Sequence, residues 1–158
     1  MNTVYIERTP NADTRSADGA LRKDLILLDT TKHITAVRTV LFALSDELKI
    51  IGNNHDHTKI SHFEQFFEDF SKKQQDPENV DLKKLPWWQI HLTERHHLND
   101  KCPENVDLLD VLEMVVDCVC AGKARTGEVY PIEISNDILQ KAVKNTQKLL
   151  EQNIRVKE

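Results

Sequence analysis

The chain has 158 residues, with 21 Lys and Arg against 26 Asp and Glu, a formal charge of −5. That length suits one domain with a core of its own, and four Gly with five Pro argue against a loop-rich all-β fold. The acidic balance leaves no broad basic field for duplex nucleic acid or an anionic membrane, so any phosphate would be bound locally.

The three cysteines, Cys102, Cys118 and Cys120, form no CxxC pair, and two of them lie in an apolar run. Reduced thiols are expected, and with them a cytoplasmic location in a bacterial cell or a phage-infected host. The first residues lack the basic start and apolar core of a secretory signal, and no apolar run is long enough to span a membrane.

Residues 1–20 read as a polar arm with a short strand at 3–6 and a turn at 10–13. Residues 21–28 predict a short first helix, and Asp29, Thr30 and Thr31 offer caps for the next. That second helix spans 32–51, where Ile34, Val37, Leu41, Leu44, Leu48 and Ile51 recur at helical spacing. His33 falls in register with Val37, Val40 and Leu44, at the edge of the apolar face. Gly52, Asn53 and Asn54 predict a left-handed stop, and a new helix near His55 has the apolar face Ile60, Phe63, Phe66, Phe67 and Phe70.

Pro86 can open a helix carrying Trp87, Trp88, Ile90, His91 and Leu92. Trp88, three positions before His91, is expected to face inward. His96 and His97 stand five and six positions after His91, spacings that do not share a helical face, so a break after Leu92 or Thr93 is needed to turn them inward. A further helix over 106–121, ended by Gly122, sets Asp110, Glu113 and Asp117 on or near one side. Ser135 or Asn136 caps a closing helix that reaches residue 153. The fold expected is all-α, a single compact bundle of about five to seven helices over 1–158, with its functional core in 32–122.

Chemistry concentrates at Asn54-His55-Asp56-His57-Thr58-Lys59. A His beside an Asp offers metal ligands, and a Lys three positions after the Asp can steady an anion next to them. The start of a helix, where backbone amides lack partners, favours the same anion. His57 and His62 read as supporting or solvent-facing residues. Glu64 and Glu113 are candidates for general base or for a carboxylate that orients a ligand.

The ordered set resembles the HD-domain superfamily of metal-dependent phosphohydrolases, whose signature is a His, a His-Asp pair on a later helix and a distant Asp. More closely, His55-Asp56-His57-Thr58-Lys59, Trp88-Gln89-Ile90-His91, His96-His97 and Leu112-Glu113-Met114-Val115-Val116-Asp117 are similar to an uncharacterised bacterial and phage branch. That branch carries an HDxSK-like motif, a W..H....HH segment and an EM..D helix. The resemblance covers about residues 32–122 and leaves the N-terminal arm and the closing helix outside it.

The resemblance implies His33, His55, Asp56 and Asp117 as primary metal ligands. His91 and one of His96 or His97 would hold a second metal, with Asp56 as the bridge and Lys59 on a phosphate or paired with Asp56. One or two divalent ions are expected, with Mn, Co, Mg, Zn and Fe not distinguished by these ligands. The expected activity is hydrolysis of a nucleotide or another small phosphorylated metabolite through a metal-activated water, in a chain that can form a homodimer. Thr58 stands where the branch has Ser, Cys118 where an aromatic is common and Leu98 where Pro is usual, which bears on pocket shape and substrate. Two other readings share the scaffold: a di-iron oxygenase, and a non-catalytic metal- or nucleotide-binding regulatory or phage accessory protein.

Overall fold

The computed structural model describes the chain except Thr14, Asp18, Leu21 and Glu158. Among the described residues it holds six α-helices and one two-stranded sheet, the all-α class expected. No helix among them is long and apolar enough to cross a membrane. The chain groups as two compact units, Met1–Ile50 with Gln147–Glu158, and Ile51–Thr146.

In the first unit, β1 (Val4–Ile6) runs parallel to β2 (Ile154–Val156), with Val4 opposite Ile154. The Lys157 amide donates to the Ile6 carbonyl at 2.8 Å and extends the pairing. β1 falls within the predicted strand, whereas β2 is too short to announce itself by alternation. A 3-10 turn at Pro10–Ala12 carries Asn11 to Asp29. The buried Asp29 carboxylate accepts both the backbone and the side-chain amide of Asn11, each at 2.9 Å.

Asp29 therefore lies inside a helix and not between two. α1 (Lys23–Asn54) is one unbroken helix of 32 residues. The expected caps are absorbed by it: the Thr31 hydroxyl donates back to the Leu27 carbonyl at 2.8 Å, a bond that an interior helical threonine makes. Leu21, at the start of the expected short helix, lies outside the described residues. Gly52 also stays helical, and the left-handed residue is Asp56, φ 56°.

The second unit contains α2 (His57–Ser61), α3 (Phe63–Gln75), α4 (Pro86–His91) and α5 (Leu108–Thr126), and the start of α6 (Asn136–Asn153). The helix expected near His55 is thus two, broken at His62, whose amide caps the Thr58 carbonyl. Leu98, Val106, Met114 and Ala142 make the buried core, packed by Cys102, Val111, Cys118, Ile134 and Ile138. Ser135 caps α6, its hydroxyl accepting the Ile138 amide at 3.2 Å.

α5 begins later than expected because Asp107 and Asp110 form a reciprocal capping box. Arg95 then clamps both Asp110 oxygens at 2.6 Å, so Asp110 is engaged in holding the helix start and not in the ligand face. The helix also ends later: Gly122 is interior, and Gly127, φ 80°, is the left-handed stop. Gly122 is needed for packing, since a Cβ there would lie 2.4 Å from the Glu128 carbonyl oxygen and 2.7 Å from the Tyr130 nitrogen.

The start of α4 is anchored by Asp69 of α3. This fully buried carboxylate accepts the Trp87 amide at 2.9 Å, together with Gln65 and Lys72. Trp87 is 1% exposed and packs on Phe66 and Phe70, with ring centroids 4.5 and 5.6 Å away. The inward indole is therefore Trp87, and Trp88, expected inside, is half-buried at the edge.

Candidate metal centre

The centre is built around the backbone of Asp56. Asp56 is the one non-glycine residue with positive φ among the described residues, a conformation that Asp tolerates better than most. Its amide donates to Glu94 Oε2 at 3.1 Å, and the Thr58 amide donates to Glu94 Oε1 at 2.9 Å. Glu94, 6% exposed, thus pins the tight turn from α1 into α2 and aims the Asp56 carboxylate at three other segments.

His91 ends α4, and the turn after it carries His96 and His97 back to the same place, while Asp117 arrives from α5. Two overlapping groups result, Asp56 with His91, His96 and His97, and His55 with His96 and Asp117; the ligand atoms of each lie within 4.8 Å of one another. Asp56 Oδ1 is 3.5 Å from His91 Nε2 and 3.8 Å from His96 Nε2. Asp56 Oδ2 is 3.6 Å from His55 Nε2, which is also 3.6 Å from Asp117 Oδ1. The two oxygens of one carboxylate thus face different sets of imidazoles.

Three buried atoms in this cluster make no hydrogen bond: Asp56 Oδ1 and both ring nitrogens of His96. Burying polar atoms without partners is costly unless something else binds them. Imidazole nitrogens with carboxylate oxygens are a donor set for divalent first-row ions, whose bonds of about 2.0–2.2 Å bring such ligands together. The group can hold a metal ion.

A second layer orients the rings. His55 Nδ1 donates to Glu113 Oε1 at 3.0 Å, and His96 Nδ1 lies 3.2 Å from the same oxygen, off the hydrogen-bonding direction. Both rings are thereby turned Nε2 inward. His91 Nδ1 meets the Thr58 hydroxyl at 2.8 Å, and Thr58 in turn meets Glu94 Oε1 at 2.7 Å. Lys59 Nζ pairs with Asp56 Oδ2.

Charge follows from this layout. Burial, then the neighbouring His97 and Lys59 charges, push His91 down to about 4. Burial pulls the His96 pKa down, but the Glu113 carboxylate 3.2 Å away outweighs it and raises the pKa above its ordinary value. Burial would raise Asp56 and Glu113, yet Lys59 keeps the first and His96 with His55 keeps the second below their usual values.

Of the residues singled out in the sequence, His55, Asp56, His91, His96, His97 and Asp117 converge, with Lys59 and Glu113 in contact with them. His96 and His97 both take part, because the chain leaves α4 immediately after His91 and turns there. His33 lies on α1 in the first unit and belongs to neither group. Glu64 is exposed at the start of α3 and is likewise outside both. His57 is exposed, its Nδ1 donating to the Asn54 carbonyl at 3.0 Å and 3.2 Å from Glu94 Oε1. Glu94 and Thr58 were missed as working residues; the signal available was an acid three positions after His91 and two before His96.

The chain belongs to a family of unknown function, DUF5662, whose model matches residues 23–156. No curated protein and no solved structure matches the chain.

Proposed function

We propose that this chain is an HD-type metal-dependent phosphohydrolase acting in the cytoplasm on a nucleotide or another small phosphorylated metabolite. The observation that carries the reading is the division of Asp56, Oδ1 toward His91 and His96 and Oδ2 toward His55. A carboxylate so placed suits a bridge, with His55 and Asp117 on one side, His91 and His97 on the other, and His96 available to either. A divalent ion bound there would supply a Lewis acid for a phosphoryl oxygen and lower the pKa of a water.

The protein's own part is positional. Glu113 keeps the His55 and His96 rings turned inward. Lys59, paired with Asp56, is the cation at the site that would meet a phosphate oxygen of the substrate. Trp88 stands at the rim beside His97, ring centroids 5.6 Å apart, as an aromatic wall for a substrate.

The test is elemental analysis of protein purified without chelator, wild type beside Asp56→Ala. About one or two equivalents in wild type, lost in the variant, are expected, followed by phosphate release from nucleotides with added manganese, cobalt or magnesium. Failure of wild type to take up metal after reconstitution overturns the reading. Stoichiometric iron with no phosphate release favours the oxygenase, and metal and nucleotide binding without turnover favours a regulatory domain.

A further inference from the structure

The Glu94–Thr58–His91 chain of contacts contains one hydroxyl proton and therefore has a direction. Glu94 Oε1 is 2.7 Å from Thr58 Oγ1, and it also takes the Thr58 amide while Oε2 takes the Asp56 amide. Accepting the Asp56 and Thr58 amides, one on each oxygen, Glu94 is an ionised carboxylate that has no proton to give, so the 2.7 Å contact needs the Thr58 hydroxyl as its donor. The Thr58 proton must then point to Glu94, leaving only a lone pair for His91 Nδ1, 2.8 Å away.

We infer that Glu94 is a positioning residue that acts through Thr58 to fix His91 in the Nδ1–H tautomer, with the Nε2 lone pair held ready for metal. The same carboxylate holds Asp56 in its left-handed turn, so two members of one ligand group, His91 and Asp56, are preset by a residue that is not itself a ligand. His91 Nε2 then accepts from His97 Nε2 at 2.8 Å, which requires the opposite tautomer on His97. The other acceptor near His91 Nδ1, Glu94 Oε1, does not compete for this proton, since it lies 4.0 Å away, beyond hydrogen-bond reach.

The metal consequence rests on the phosphohydrolase reading, whereas the tautomer does not, so two measurements separate them. Nitrogen NMR of chelator-treated, 15N-histidine-labelled wild type at neutral pH reports each ring nitrogen as protonated or bare. His91 is expected protonated at Nδ1 and His97 at Nε2. A bare His91 Nδ1 overturns the inference whatever the metal content. Zinc titration then compares Thr58→Val, which keeps the shape but cannot accept, with Thr58→Ser, which can. Thr58→Val is expected to weaken zinc binding about 10–100-fold, the usual cost of losing a group that orients a ligand, and Thr58→Ser to restore it. Equal zinc affinity in Thr58→Val and wild type overturns the inference; a wild type that binds no zinc but shows His91 protonated at Nδ1 upholds it and sinks the metal reading instead.

Discussion

Trp87 lies flat against His91, ring centroids 4.6 Å apart and planes 18° apart, so the floor of the candidate metal site is a core side chain. Its backbone is fixed by Asp69 and its ring by Phe66 and Phe70, which ties the position of His91 to the packing of α3. Trp87→Ala should cost about 3–5 kcal/mol, as loss of a buried aromatic does. Trp88→Ala, at a half-buried rim, should cost no more than about 1 kcal/mol. Urea unfolding of the two variants checks this, and equal losses would contradict the assignment of Trp87 as the buried ring.

Glu113 serves two histidines through one oxygen. Glu113→Gln keeps the volume and removes the charge, and should weaken zinc binding about 10–100-fold with little change in the unfolding midpoint. Isothermal titration of the folded variant is the measurement. Unchanged affinity would show that the His55 and His96 rings need no carboxylate to hold them.

The two buried histidines should titrate in opposite senses. His91, whose pKa falls from 6.5 to about 4, stays neutral in the folded chain while the unfolded chain takes a proton. Its contribution to stability is present above 6.5 and is lost as pH falls toward 4. His96 is shifted up, so its contribution is present below the ordinary histidine pKa and is lost as pH rises through the folded value. In chelator-treated protein, ring-proton NMR should show His96 protonating first and His91 last. Zinc affinity should fall as His96 takes its proton, since a ligand must be bare. The reverse order of titration would contradict the placement of Glu113 beside His96.

Three glycines should respond differently to alanine. Gly52→Ala, inside α1 with open space at the Cβ position, should stabilise by about 0.5–1 kcal/mol. Gly127→Ala, at φ 80°, should cost about 1–2 kcal/mol. Gly122→Ala, which drives a Cβ onto the backbone of Glu128 and Tyr130, should cost about 1–3 kcal/mol. Denaturant melts of the three variants rank them, and a stabilised Gly122→Ala would contradict the approach of that connection to α5.

By itself the sequence determined the helical class, the segments that carry His55-Asp56, His91, His96-His97 and Asp117, and the strand at the start of the chain. Those are local matters: apolar spacing, a proline at a helix start, chemistry-bearing residues adjacent in sequence. Tertiary structure decided where helices stop, because Gly52 and Gly122 carry the residue type of a terminator but not its φ, and the left-handed turn fell to Asp56. It also decided which indole is buried, since Trp87 and Trp88 differ only in which of them meets Phe66 and Phe70. Glu94 and Thr58 are 36 positions apart, and neither lies on a periodic face that marks it. Their bond exists because α4 and the turn after it fold onto α2, and it is this packing that gives His91 its direction.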